Sequence, residues 1–136
     1  MKKLLLILIC LFVSFEVKSE SDDLSGKKLL CKNNVLNLWE GYKFVSEEEV
    51  INYSYWLGGK VIVTRGKYTT SLTQIKLTFH KKDLVPPKII DRQELKSGFL
   101  HQTLTSQCRI FDGNFESYYK NLHEKDEREL KSKQKI

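Results

Sequence analysis

The 136-residue chain has no alanine, two prolines, one methionine and three cysteines. No Cys-x-x-Cys spacing occurs, which excludes the dithiol motif that lowers a thiol pKa for redox work, and the cysteines are too few for a tetrahedral zinc site built from them alone. Gly-x-Ser-x-Gly and a glycine-rich phosphate loop are also missing, so neither a hydrolase nucleophile nor a nucleotide cradle is announced. There is no apolar run of the roughly 20 residues that a membrane helix requires. Lys, Leu, Ile, Asn and Ser are plentiful instead, the usage of an AT-rich bacterial coding sequence.

The longest apolar stretch, Leu4 to Phe15, follows Met1, Lys2 and Lys3 and is interrupted only by Cys10 and Ser14. A charged start followed by a short apolar segment is the pattern of a secretory signal peptide. Val17 and Ser19 satisfy the small-residue rule before a cut, so residues 1–19 are expected to leave and the mature chain to begin near Glu20. Cys10 follows Leu8 and Ile9, not the small residue that lipid attachment requires. Removal of three lysines and one glutamate leaves 20 basic against 16 acidic residues. The basic residues are spread among acids and do not cluster with aromatics, so no nucleic-acid partner is expected. After cleavage no stable membrane span is expected either.

Cleavage also removes Cys10 and leaves an even pair, Cys31 and Cys108, 77 positions apart. A structural disulfide is the simplest use of two distant cysteines in an oxidising compartment. In the chain-entropy account, closing a loop of this size removes about 4–5 kcal/mol of unfolded-state entropy.

Between the cysteines the chain reads as short strands. Tyr42 and Phe44 alternate with Lys43, residues 46–49 make a polar turn, and Ile51, Tyr53, Tyr55 and Leu57 alternate with Asn52, Ser54 and Trp56. Gly58 and Gly59 predict a second turn and Arg65, Gly66 and Lys67 a third. Ile75, Leu77 and Phe79 alternate again, Pro86 and Pro87 break the pattern, and 89–95, 99–105 and 108–111 follow as further strands. An immunoglobulin-type sandwich is disfavoured, because Trp39 comes only eight residues after Cys31 and Ser106 occupies the place of the tyrosine two before Cys108. An up-and-down barrel makes first and last strands neighbours, which lets a Cys31–Cys108 bond pin the closing seam. The expectation is an all-β antiparallel barrel of about seven or eight strands over residues 20–113.

The succession "LSGKKL", "GYKFVSEEEVINYSY", "IKLTF" and "IIDRQEL" resembles small exported lipocalin-like domains over roughly residues 24–112, in particular short secreted proteins of marine alphaproteobacteria. The resemblance implies a barrel with a central cavity and implies no catalytic residue.

The aromatic set Trp39, Tyr42, Phe44, Tyr53, Tyr55, Trp56 and Phe79 reads chiefly as core and is dense enough to offer a ligand surface. Alternation predicts Tyr42, Phe44, Tyr53 and Tyr55 on one inward face, lining a cavity for a small apolar or amphipathic ligand, with Lys43, Asn52 and Ser54 toward water. His80 and His101, on strands, lack acids at close ligand spacing and His123 falls on a helix, so no metal site is read from them; Glu47 to Glu49 read as a solvated turn, and Asn52-Tyr53-Ser54 as a chance glycosylation match. No cofactor, metal or catalytic residue is expected.

Residues 114–136 read as a C-terminal helix. Asn114 supplies a cap, Phe115, Tyr118, Tyr119 and Leu122 share a face, and the charged end projects or frays. Glu116 with Lys120 and Glu124 with Arg128 stand in the favourable order at four-residue spacing. The function expected is an exported non-enzymatic binding module. The alternative is a structural or protein-interaction domain with a filled barrel, acting through its surface or tail on a partner the sequence does not name.

Overall fold

A computed structural model describes residues 23–56, 59–79 and 86–135. Residues 1–19, expected as a signal peptide, and Leu57, Gly58, His80 and Ile136 lie outside the described residues. Eight strands follow one another: β1 (Lys28–Asn33), β2 (Leu38–Phe44), β3 (Glu49–Trp56), β4 (Val61–Thr70), β5 (Gln74–Phe79), β6 (Lys88–Asp91), β7 (Lys96–Phe99) and β8 (Ser106–Ile110). Each pairs antiparallel with the next, and β8 returns to β1, closing the barrel. Closure leaves no free first or last strand, which removes the open edges of a flat sheet.

The seam is where the cysteines meet. Cys31 faces Cys108 directly in the β1–β8 register, with Cα atoms 3.9 Å apart and the sulfurs bonded. Both are buried among the interior apolar side chains, so the staple lies inside the wall.

Three expected boundaries shift. Arg65 to Lys67 form no turn, since β4 runs straight through them. Gly66 is needed there for space: a Cβ would stand 2.4 Å from Phe79 Cδ1, so the Phe79 ring occupies the place of a side chain. The expected strand 89–95 ends at Asp91 in a turn before Leu95, and 100–105 is a second reversal between β7 and β8. Leu95 (φ 53°) and His101 (φ 64°) hold the left-handed backbone that these reversals demand.

Directly opposed residues on paired strands share a face. Phe44 opposes Val50, Tyr42 opposes Asn52 and Glu40 opposes Ser54, all inward, whereas Gly41 opposes Tyr53 and Trp39 opposes Tyr55, all outward. The expectation of one inward set is therefore corrected. Tyr42 and Phe44 enter the interior core, while Tyr53 and Tyr55 belong to a second cluster on the outside of the barrel, and Asn52 and Ser54 point in. The physical reason is that β3 has two covered faces. Its outer one lies beneath the C-terminal helix α1 (Phe115–Lys133).

Asn114 caps α1 by accepting from the Ser117 N–H at 3.0 Å. Phe115 and Tyr119 are buried against Leu30, Tyr55 and Phe111, with Tyr118 and Leu122 beside them. Phe115 sits so close to β2 that a Cβ on Gly41 would approach its ring to 2.5 Å. Tyr119 donates to the Tyr53 carbonyl at 2.8 Å, and Tyr55 donates to Asp126 at 3.1 Å. The helix continues unbroken to Lys133, and its positions beyond Asp126 are exposed.

Candidate functional site

Polarity changes along the barrel axis. Toward the end formed by residues 46–48 and 92–94, the interior is filled by Phe44, Val50, Tyr68, Ile75, Leu77 and Ile90. Leu24 closes that end: its N–H donates to the Tyr68 hydroxyl at 3.3 Å, and the hydroxyl donates to the Ser46 carbonyl at 2.6 Å. Toward the opposite end the inward positions become Asn33, Glu40, Asn52, Ser54, Lys88, Ser97 and Ser106. Trp56 and Ile62, also inward by register, are 46% and 56% exposed, so among the described residues nothing covers them.

Glu40 enters the interior because it is in phase with Tyr42 and Phe44 on β2. Lys88 enters because it opposes Leu77 on β5 and Phe99 on β7. Lys88 Nζ donates to Glu40 Oε1 and the Tyr42 hydroxyl donates to Glu40 Oε2. Lys88 Nζ also lies 3.5 Å from the Tyr42 oxygen and 5.4 Å from the centre of the Phe99 ring. The ion-paired side chains are 17% and 11% exposed, for Lys88 and Glu40 respectively. Burial, reinforced by the Glu40 charge, pushes the Tyr42 phenol well above its ordinary pKa and keeps it a donor.

Glu40 and Lys88 line a cavity of about 360 Å³, with Tyr42 fully buried behind them. Leu36, Leu38 and Phe99 supply apolar wall, and Asn33, Gln102 and Thr105 a polar rim. Asn33 ties that rim together, donating to Thr105 Oγ1 at 3.1 Å and accepting from the Val35 and Leu36 N–H groups. Asn52, one step deeper, accepts from Ser54 Oγ at 2.7 Å, while its Nδ2 has no hydrogen-bond partner among the described residues. Its burial also removes it from the surface on which a glycosylation acceptor must lie.

Other features offer less. A groove of about 380 Å³ at the closed end includes Lys28 and Arg92, but Lys28 donates to the Gly113 carbonyl and Arg92 to the Ser71 carbonyl. His123 lies on α1 against Tyr55 and pairs with Glu127 at 3.1 Å, and His101 is exposed in a turn. Among the described residues no group of three His, Cys, Asp or Glu side chains could hold a metal ion. Glu47 to Glu49 are exposed, as a solvated turn requires.

Of the four rings expected at a ligand, none lines this cavity: Tyr42 is buried behind Glu40, to which it donates, Phe44 lies deeper in the filled half, and Tyr53 and Tyr55 are outside beneath α1. Glu40 and Lys88 escaped the sequence reading. The available signal was phase: Glu40 precedes Tyr42 and Phe44 at two-residue spacing, and Lys88 does the same for Ile90.

The outward strand positions include Lys43, Arg65, Lys67 and Lys76, all exposed. A barrel immersed in lipid carries an apolar band there. Among the described residues no helix is long and apolar enough to cross a membrane. The molecule is thus a closed eight-stranded antiparallel barrel with an outer C-terminal helix, charged outside and cupped at one end. A structural disulfide of this kind belongs to proteins of oxidising, non-cytoplasmic compartments. In comparisons with known proteins, no family model, no curated sequence and no solved structure matches this chain.

Proposed function

We propose that this is an exported, non-enzymatic binding module of lipocalin-like character, which holds a small amphipathic molecule in the open mouth of its barrel. The observation that carries this reading is the Glu40–Lys88–Tyr42 cluster beside a 360 Å³ cavity with apolar wall. Desolvating an ion pair costs more than packing apolar side chains of the same volume, so stability alone gives little reason to retain it there. A few convergent polar groups within an apolar hollow are what a small-molecule site requires. The filled half of the barrel supports the rigid cup and leaves one end for a ligand.

Trp56 stands at this mouth, opposite Leu38, and provides the signal. Tryptophan fluorescence of the mature protein, titrated with fatty acids, quinones and aromatic metabolites, is expected to quench saturably, and Leu38→Arg is expected to abolish the response. No saturable quenching by any of them, with an interior holding no void larger than a water molecule, would favour the filled-barrel interaction protein instead. Export is tested by the amino terminus: the mature protein is expected to start near Glu20 outside the inner membrane, and cytosolic protein retaining Met1 would contradict it.

A further inference from the structure

We propose that the polar end of the ligand is a zwitterion, an ammonium beside a carboxylate, carried on an apolar tail. This rests on the reading of the mouth as a ligand site and goes further by assigning its charge preference. Among the described residues lining the cavity, Glu40 and Lys88 are the charged ones, and they are opposite in sign. The floor is therefore charge-balanced. An anionic head would place an unmatched negative charge beside Glu40, and a cationic head an unmatched positive one beside Lys88, in a setting mostly removed from water.

A zwitterion leaves the balance unchanged. The ammonium of Lys88 carries three donors, of which Glu40 and Tyr42 engage at most two. The Glu40 carboxylate has about four acceptor sites, of which Lys88 and Tyr42 occupy two. One donor and spare acceptor sites remain, matching a carboxylate and an ammonium set side by side. The tail then lies along Leu36, Leu38 and Phe99.

The test uses the mature protein with intact disulfide at neutral pH and three probes of the same chain length: α-aminodecanoate, decanoate and decylamine. Calorimetric titration is expected to show α-aminodecanoate bound about tenfold more tightly than either singly charged probe, equivalent to about 1.4 kcal/mol. Glu40→Gln is expected to move the preference to decanoate, and Lys88→Met to decylamine. Wild-type binding of decanoate or decylamine as tight as that of the zwitterion would overturn the proposal while leaving a mouth site in place. Saturable binding by none of the three, or binding untouched by Leu38→Arg, would overturn the mouth reading itself. The wild-type ranking decides the matter even where a variant fails to fold.

Discussion

Glu40 and Lys88 show how one residue's position in a strand can outweigh its chemical type. Each is charged, yet each has the phase of its apolar neighbours Tyr42 and Ile90, so the backbone carries it inward. Once inside, each requires the other. Lys88→Met is expected to lower stability by about 3–5 kcal/mol, because it leaves a buried carboxylate without its cation. The double variant Glu40→Leu/Lys88→Met is expected to recover most of that loss. Denaturant unfolding of both decides it, and a double variant as unstable as the single would mean that the pair itself is net stabilising. Tyrosine protons give a second residue-scale test. Burial, first in each case, raises the phenol pKa of Tyr42, Tyr68 and Tyr119 above the ordinary 10.0, so the folded state favours the neutral form. The associated stability is complete below pH 10 and falls as pH rises beyond it, because the unfolded chain releases those protons first. Phenolate absorbance should therefore show these tyrosines ionising together with alkaline unfolding. Their ionisation near pH 10 with the barrel intact would refute this.

At the scale of elements, α1 divides into a docked part and a projecting part. Its buried rings stack closely, Phe115 on Phe111 at 4.8 Å and Tyr119 on Tyr55 at 5.5 Å between centroids, and its last inward contact named above is Asp126. Truncation after Arg128 is expected to leave the thermal midpoint nearly unchanged, since the remainder is exposed and contributes at most a few tenths of a kcal/mol per ion pair. Ending the chain at Asn114 uncovers Trp39, Tyr53 and Tyr55 and is expected to cause aggregation or loss of cooperative unfolding. Equal damage from both truncations would show that the charged end packs. The same helix explains why β3 misleads: alternation tells that Tyr53 and Tyr55 share a face, but not which face a later element will cover.

For the whole molecule, the disulfide and ring closure act on the same seam. Cys108→Ser is expected to cost about 2–5 kcal/mol, read as a lower unfolding midpoint, with the barrel's circular dichroism retained in mild conditions. Two free thiols in exported wild-type protein would remove this account. Closure also organises the interior along its axis. An eight-stranded barrel is just wide enough to be filled or to hold one small ligand, and here apolar rings fill one half while polar side chains border the hollow in the other.

Much of this architecture was legible from residue order. Two cysteines near the ends of a run of alternating segments, turn residues between them and a capped amphipathic stretch after Gly113 are local signals, and they anticipated the barrel, its seam and α1. Local signals also failed predictably. Gly66 looks like a turn until Phe79 is seen to need its space, and Leu95 and His101 reverse the chain without a glycine to announce it. The inside and outside of β3, and the meeting of Glu40 with Lys88 across 48 positions, were decided only in three dimensions. Alternation specifies two faces of a strand by steric geometry within a few residues. Which face is the core depends on register and on what packs from elsewhere, and those are properties of the closed barrel and its helix together.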